Sequence, residues 1–355
     1  MRPLLLPTLS RLWRDATTLQ LGADPERAVV LTAVDPGVAA FLISLDGRRS
    51  LRDVVAAPPP GLAGAAAESL ITALIARGAV VDADTLTPRV ARDADATLPP
   101  LPPALVSALL THGSHAVDRM SARRRAHVLV RCRGRVGPVI AALLAADGVG
   151  RVVVTGTGVA TPDDVTVGGL CPDDVGRPYV LATLDAVRRG SPAVDTRPTG
   201  ELPDFVVLAA GPLPLPADQV RWTSAGVPHL PVLLRDGVAI VGPLVAPGRT
   251  ACLTCLDEHR RDRDPAWPVL AAQLATDRRG EPAEAVVVTT AAALAAAEVS
   301  GHLEGVLTAT VGTSLEIGPP GVPLRRRSWT PHPRCDCLRD AGAATTDDSE
   351  RSARQ

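Results

Sequence analysis

Four of the six cysteines stand in two closely spaced pairs. Cys252 and Cys255 form a Cys-x-x-Cys pair in the middle of the chain, and Cys335 and Cys337 form a Cys-x-Cys pair near its end. Zn²⁺ prefers four thiolates in a tetrahedron, and short-spaced pairs on separate segments commonly supply them. The spacing therefore predicts one structural zinc site that fastens the end of the chain to its middle. The alternative is a set of free or disulfide-bonded thiols, but a Cys-x-Cys disulfide would strain the preferred dihedral angle.

The remaining thiols and imidazoles offer weaker chemistry. His332 lies three residues before Cys335 and could replace a cysteine ligand, but four thiolates already complete a structural site, and such a closed site serves stability rather than catalysis. Cys171 is followed by Asp173 and Asp174, whereas a thiolate nucleophile needs a neighbouring base or positive charge. We therefore expect Cys171 to be a bystander thiol.

A degraded glycine loop follows a predicted strand over residues 127–131. Strand, turn, helix and second strand form a βαβ unit, in which the pattern G-x-G-x-x-G would cradle the phosphates of a nucleotide. Gly134 and Gly137 remain, but Cys132 stands at the first glycine position. The second strand ends in Thr155-Gly156 instead of an acidic residue that would bind a ribose hydroxyl. The chain also contains no lysine to bind a phosphate, so we predict that ATP is not bound productively.

Composition limits the classes of partner. At 355 residues the chain suits two or three domains, and 46% of its residues are hydrophobic. A net charge of -1 gives no bulk electrostatic attraction to nucleic acid or to acidic membranes. The Leu-rich start is interrupted by Pro3 and Pro7, and no apolar run approaches the length of a membrane span. Together with cysteines in a metal pattern, these features predict a cytoplasmic protein without a nucleic-acid or membrane partner.

The first ninety residues predict a small domain of strands and helices. Residues 18–22 and 28–33 favour two strands joined by a turn. Helices are expected from Asp35-Pro36, after the capping residue Ser50, and over residues 61–77. A strand over residues 79–81 would complete a winged-helix layout.

A winged helix usually indicates DNA binding, but the third helix favours another function. Its charged residues are Glu68 and Arg77 alone, which offer little to phosphates or base edges. The alternative is peptide binding, in which an extended segment adds a strand to an exposed sheet edge.

The sequence Thr-Leu-Gln-Leu-Gly over residues 18–22, the Leu-Asp-Gly over residues 45–47 and the helix that follows resemble the RiPP recognition element, which holds leader peptides of ribosomal natural products. The resemblance places the groove between the last hairpin strand and the third helix. The peptide-binding residues that it implies are Val29, Val30, Leu31, Thr32, Ser69, Leu70, Ala73 and Arg77. The alternative for each of these residues is an ordinary place in the core.

Composition also marks the domain boundaries. We predict a winged-helix leader-peptide-binding domain over residues 1–84 and a Pro-rich linker over residues 85–103. A larger domain would cover residues 104–340. Residues 341–355 lack apolar anchors and are expected to form a disordered tail.

The larger domain resembles the ThiF/MoeB fold of ubiquitin-activating-type adenylyltransferases. The βαβ unit carries this resemblance, together with the motifs at 162–164 and 168–170 and the paired cysteines; the motifs at 242–248, 252–257, 260–268 and 332–337 carry the closer similarity that follows. A closer similarity is to the ThiF-like partner of cyclodehydratases in TOMM biosynthesis, in which a recognition element is fused to a ThiF-like domain that has lost adenylation. It implies an α/β fold, namely a ThiF-like doubly wound Rossmann-type domain with structural zinc, preceded by the winged helix.

Several functional expectations follow from this resemblance. It implies a scaffold without independent activity that binds a precursor leader peptide and presents it to a YcaO-type cyclodehydratase, and it implies a homodimer. An active adenylyltransferase is the alternative, with Asp163 or Asp164 holding the ribose or Mg²⁺. A third hypothesis is a structural or regulatory module unrelated to natural products. The mixed-charge run over residues 260–264 is either a solvated helix face or a docking patch for a partner enzyme.

Overall fold

The computed structural model describes residues 1–86, 103–276, 283–318 and 324–338. The chain divides into two compact units, Met1–Ser121 and Ala122–Gln355. The predicted linker lies almost entirely, and the predicted tail entirely, outside the described residues. The domain boundaries at residues 84 and 104 therefore stay predictions.

The first unit builds a small core from short strands and helices. Its elements in chain order are β1 (Pro3–Leu5), β2 (Arg11–Trp13), β3 (Leu19–Leu21), β4 (Val29–Leu31), α1 (Pro36–Ser44), α2 (Leu51–Ala56), α3 (Gly64–Ala76), β5 (Val80–Asp82), α4 (Ala83–Leu86), α5 (Pro103–His112) and the start of α6 (Ala116–Arg125). Apolar residues of β3 and of the three helices α1–α3 bury one another; the largest of them are Leu21, Phe41, Leu42, Ile71 and Leu74.

The strands of the first unit form two separate antiparallel sheets. Strands β2, β3 and β4 lie in that order, and β1 pairs with β5. The two predicted hairpin strands are present as β3 and β4. The predicted strand over residues 79–81 is β5; its partner β1 is not predicted, because a three-residue strand that begins at Pro3 and is buried throughout shows no alternation. The winged-helix assignment stays a prediction.

Capping residues set the helix boundaries in this unit. The Asp35 Oδ1 accepts a hydrogen bond of 2.8 Å from the Val38 backbone N–H at the start of α1. The predicted start of the third helix at Gly61 is wrong, because this residue has a left-handed φ of +93° and the helix begins at Gly64. Further along, Gly113 at φ +55° separates α5 from α6.

The second unit is an α/β fold around a seven-stranded sheet. Its elements are β6 (His127–Cys132), α7 (Val136–Ala146), β7 (Arg151–Thr155), α8 (Tyr179–Gly190), β8 (Phe205–Ala209), α9 (Pro216–Ser224), β9 (His229–Arg235), β10 (Val238–Val241), α10 (Leu253–Arg263), α11 (Trp267–Thr276), α12 (Ala285–Leu303), β11 (Thr313–Ile317) and β12 (Arg325–Ser328). Strands run in the order β12-β11-β10-β9-β8-β6-β7.

The sheet is parallel over β7, β6, β8 and β9, and antiparallel over the remaining strands. From β6 the chain passes to β7 on one side and later to β8 on the other, so the strand order reverses at β6. In doubly wound folds, ligands bind beyond the carboxyl ends of strands at such a point.

Helices cover both faces of this sheet. On one face α7, α8 and α12 pack on Val128, Val130 and Val207. On the other face α9 and α10 pack on Val206 and Leu208. Neighbouring residues of β8 thus face opposite layers, as expected of a strand buried on both sides.

Helix α12 is the apolar centre of the second unit. In the part of the chain that the structure describes, it alone is long and apolar enough to span a membrane by length and composition. Half of that apolar window is buried inside the fold, and Val288, Ala291, Ala292, Ala295 and Val299 are fully buried in the core. It packs as the core helix of an α/β layer.

Candidate functional site

The two cysteine pairs come together at the start of α10. Cys252 is the N-cap residue of this helix, and Cys255 lies in its first turn. Cys335 and Cys337 follow β12 in a turn, where the Cys335 backbone N–H donates to the His332 carbonyl oxygen at 2.9 Å. The start of α10 therefore supplies one pair of thiols and the turn after β12 supplies the other.

The geometry of the four sulfurs suits a tetrahedral cation. The Cys252 Sγ lies 3.8 Å from the Cys255 Sγ and 3.6 Å from the Cys335 Sγ, and the Cys255 Sγ lies 3.5 Å from the Cys337 Sγ. All four sulfurs lie within 4.8 Å of one another. Zn–S bonds of about 2.3 Å in a tetrahedron place the sulfurs roughly 3.8 Å apart. Donor type, number and spacing thus fit zinc.

Without a cation this cluster would be costly to ionise. The neighbouring Cys255 thiol and burial raise the pKa of Cys252 to about 12, and burial raises the pKa of Cys337 to about 11. A metal ion binds the thiolate form, so its positive charge would offset the cost of ionising these thiols.

His332 is engaged elsewhere and does not face the sulfurs as a ligand. Its Nε2 lies 2.9 Å from the Asp262 Oδ2, and its Nδ1 accepts from the Arg334 backbone N–H at 3.2 Å. Arg334 also donates to Glu258 at 2.9 Å and contacts Asp262. These contacts tie the turn of the second cysteine pair to α10.

The charged run after the first cysteine pair is largely paired. Arg260 donates to Asp257 at 2.9 Å, and its guanidinium lies 4.9 Å from the Trp267 ring centroid and 5.6 Å from that of Trp329. Arg261 pairs with Glu258 at 3.0 Å. The observed contacts therefore match local ion pairing and packing, and the docking patch stays a prediction.

The degraded glycine loop is packed against its own strand. A Cβ on Gly137 would lie 2.9 Å from the Cys132 Sγ and 3.0 Å from its Cα, so this glycine serves close helix–strand packing. Cys132 is buried, and burial raises the pKa of its thiol, which disfavours the thiolate form. Gly134 adopts a left-handed φ of +68°, so the turn persists although its first glycine is lost.

Tyr179 packs on this loop, and no sequence motif points to it. Its hydroxyl donates to the Gly134 carbonyl oxygen at 2.5 Å. A Cβ on Gly156 would lie 3.3 Å from the Tyr179 Cδ1, so the ring packs directly on the turn after β7. The side chain is 3% exposed. It thus packs on one side of the turns after β6 and β7, whereas a cavity of about 640 Å³ lined by Cys132, Arg133 and Gly156 stays open at the carboxyl ends of these strands, where doubly wound folds bind ligands.

The acidic residues that an adenylyltransferase would need lie in a short turn. Asp164 Oδ2 accepts from both the Thr161 backbone N–H and its hydroxyl at 2.7 Å, which caps the turn Pro162–Asp164. Asp163 is exposed in the same turn. Cys171 donates to the Asp174 Oδ2 at 3.1 Å in a similar capped turn, as suits a structural thiol.

The predicted peptide groove contains an edge strand. Strand β4 pairs with β3 only, so its other edge has no strand partner among the described residues. Val29 is buried and Leu31 half-buried, while Val30 and Thr32 are exposed. On α3, Leu70 is half-buried and packs against the same core as Leu31; the exposed members are Ser69, Ala73 and Arg77.

No protein-family model matches the sequence, and no curated protein does. Among solved structures, the crystal structure of E. coli MccB with ATP is similar at a TM-score of 0.65 and 14% identity, over 95% of this chain and 99% of that chain. The microcin C7 biosynthetic enzyme MccB in complex with N-formylated MccA is similar at a TM-score of 0.64 and 14% identity, over 95% of this chain and 100% of that chain. PaaA is similar at a TM-score of 0.63 and 15% identity, over 91% of this chain and 98% of that chain. At this identity the comparison establishes the fold alone, a ThiF-like Rossmann-type α/β fold.

Proposed function

We propose that the chain is a leader-peptide-binding scaffold without independent catalytic activity. It presents a ribosomal precursor peptide to a YcaO-type cyclodehydratase in the biosynthesis of azole- or azoline-containing natural products. The observation that carries this proposal is the glycine turn after β6, in which Cys132 stands at the first glycine position and Gly137 is in close contact with Cys132.

Other features around the same turn support the loss of ATP binding. The first turn of α7 is buried, with Val136 only 1% exposed, and Pro138 in that turn has no N–H for a phosphate. The strand β7 ends without an acidic residue, and the chain has no lysine. Arginine is the only permanently charged cation left for a phosphate, and ATP is not expected to be a cofactor.

The edge of β4 supports the peptide partner. An extended segment that adds to an open strand gains main-chain hydrogen bonds, and pockets for alternate side chains give specificity. Solved structures of similar fold contain MccB together with MccA. Holding peptide and partner enzyme on one scaffold would raise the effective concentration of the substrate. The metal, Zn²⁺ on Cys252, Cys255, Cys335 and Cys337, would be structural, and the homodimer remains part of the proposal.

The alternative function is an active adenylyltransferase that acts on the C-terminus of a peptide or carrier protein. It is favoured by the similarity to MccB, which was solved with ATP. It would need ATP near residues 134–137 and an acid such as Asp163 for the ribose or Mg²⁺. The cavity of about 640 Å³ at the ends of β6 and β7 would be the place for the nucleotide.

ATP–pyrophosphate exchange on the zinc-loaded full chain separates the two functions. We expect no exchange above background with Mg²⁺-ATP, with or without a synthetic precursor peptide encoded beside this chain. The same peptide, labelled with fluorescein, should show an increase in fluorescence anisotropy when the full chain is added. Robust exchange would establish the adenylyltransferase, and the absence of any peptide binding would overturn the scaffold.

A further inference from the structure

The cavity of about 640 Å³ at the ends of β6 and β7 continues along one face of the sheet. Its lining includes both His127, the first residue of β6, and Cys132, the last. Since a strand rises about 3.3 Å per residue, these two residues lie roughly 16 Å apart. The cavity therefore extends well beyond the glycine turn that follows β6.

The pleat of the two strands decides which side chains line this face. Alternate residues of β6 and β7 are buried against α7 and α8, so Leu129 and Val153 face the opposite layer, where they line the cavity. Leu202, which is 61% exposed, and Leu215 add apolar surface from the segments on either side of β8. These walls suit the apolar body of a ligand.

Polar side chains in the same lining carry donors that lack acceptors. The Trp222 indole N–H, the Arg131 Nε and both ring nitrogens of His127 are buried and have no hydrogen-bond partner among the described residues. All three side chains line the cavity, and Trp222 is 1% exposed. In either neutral tautomer one nitrogen of His127 is a donor. A buried donor without an acceptor is destabilising, so this lining lacks a group that accepts hydrogen bonds.

The charge of the lining favours an anion as that group. Three arginines line the cavity; they are Arg131, Arg133 and Arg221. Among the described lining residues the one carboxylate is the exposed Glu201. Arg131 pairs with Asp218 at 2.9 Å. Arg221 forms no ion pair with a carboxylate of the described residues, and its guanidinium lies 4.4 Å from the centroid of the Trp222 ring. An anionic acceptor would form a charge-assisted hydrogen bond with it.

We propose that this cavity binds a small organic carboxylate with an aromatic or branched apolar body. The carboxylate pairs with Arg221 and accepts from the Trp222 indole N–H, while the body packs on Leu129 and Val153. A nucleotide fits less well, because β7 ends in Thr155 where an acid would bind the ribose. The site does not depend on the proposed binding of a leader peptide.

The indole N–H signals of the zinc-loaded full chain test this site. The chain has four tryptophans, so labelling with ¹⁵N-tryptophan gives four indole signals, and Trp222→Phe and Trp329→Phe assign two of them. The probes are indole-3-acetate, naphthalene-2-carboxylate and 4-methylpentanoate, each titrated beside its neutral amide. We expect at least one carboxylate to shift the signal of Trp222 but not that of Trp329, which does not line the cavity. It should bind roughly tenfold more tightly than its amide.

Two substitutions separate the charge from the apolar wall. Arg221→Gln removes the cation and should weaken this carboxylate roughly tenfold. Arg188→Gln is the matched control, since Arg188 is exposed on α8 and does not line the cavity; it should change the affinity by at most about twofold. Leu129→Trp fills the wall and should abolish binding. Thermal unfolding of each variant reports that the second unit remains folded.

A competition experiment distinguishes the carboxylate from a nucleotide. Excess Mg²⁺-ATP should not displace the bound carboxylate from the wild type, whereas displacement would assign the cavity to a nucleotide and overturn the proposal. Binding that leaves the Trp222 signal unmoved, or that is as tight in Arg221→Gln as in the wild type, would also overturn it. So would the failure of all three carboxylates to bind. The anisotropy titration of the leader peptide tests the proposed function separately.

Discussion

Each paired cysteine is positioned by a local feature that a single substitution can test. The helix start places Cys252 and Cys255, and the turn after β12 places Cys335 and Cys337. Because all four sulfurs lie within 4.8 Å of one another, removal of one should leave an incomplete tetrahedron.

We predict that Cys335→Ser lowers the zinc content from about one ion per chain to near zero. The variant should also destabilise the second unit by several kcal/mol, which is part of the roughly 10–16 kcal/mol that zinc binding contributes to the folding of small domains. Elemental analysis and urea unfolding measure the two effects. Cys171→Ser is the matched control and should retain the metal. Full zinc content in Cys335→Ser would contradict the four-cysteine site.

His229 makes the stability of the second unit depend on pH. It is fully buried at the start of β9, and burial lowers its pKa to about 4. Between pH 6.5 and 4 the unfolded chain would bind a proton that the folded chain excludes, so stability falls as the pH falls through this window.

We expect the free energy of unfolding to decrease by up to about 1.4 kcal/mol per pH unit from pH 6.5 down to about 4 through this residue. Urea titrations at several pH values, with zinc content checked at each, would measure the slope. The free energy of unfolding of His229→Gln should depend on pH less steeply than that of the wild type, by this amount. His127 and His302 remain in both proteins, so their contribution to the slope cancels in the comparison. Equal slopes would disprove the assignment.

At the scale of elements, the contact between β6 and α7 decides what the glycine loop does. Gly137 packs against Cys132 at distances that leave no room for a Cβ. The loop therefore serves the approach of a helix to a strand, and its remaining glycines do not require a bound phosphate to explain them.

Gly137→Ala should destabilise the chain by about 1–3 kcal/mol, because the added methyl group would force the helix away from the strand. Gly200→Ala is the matched control: its added Cβ meets nothing within 4 Å, so a change within about 0.5 kcal/mol is expected. Chemical unfolding of both variants provides the measurement. An unchanged free energy of unfolding in Gly137→Ala would show that the loop accommodates a Cβ at this position.

At the scale of the whole molecule, the two units have separate cores. Leu21, Phe41 and Ile71 belong to the core of the first unit, whereas Cys252, Cys255 and Trp222 belong to a core of the second. Metal removal should therefore act on one unit.

We predict that a zinc chelator accelerates amide hydrogen exchange over residues 251–256 and 325–338, and leaves residues 19–21 and 41–45 unchanged. The reason is that local opening follows the contacts that are lost. Mass spectrometry of the exchanged chain resolves both regions, and re-addition of zinc should restore the protection. Faster exchange throughout the first unit would contradict independent cores.

Local patterns predicted much of the fold correctly. The hairpin strands β3 and β4, the caps at Asp35 and Ser50, and the βαβ order around α7 each follow from neighbouring residues. The convergence of the four sulfurs was also predicted, since two short-spaced cysteine pairs have few other uses; the zinc itself stays a prediction. The predicted helix start at Gly61 was wrong, because a helical pattern of side chains does not reveal a left-handed glycine.

The sequence by itself determined the spacing of the paired cysteines, the cysteine at position 132 and the absence of lysine, because these are properties of residues at fixed positions. Only the tertiary structure decided that Tyr179 bonds to Gly134, 45 residues away, that β1 completes β5, and that donors of β6 and α9 line one cavity. Such contacts join distant segments, and their geometry depends on how helices and strands pack, which no local spacing encodes.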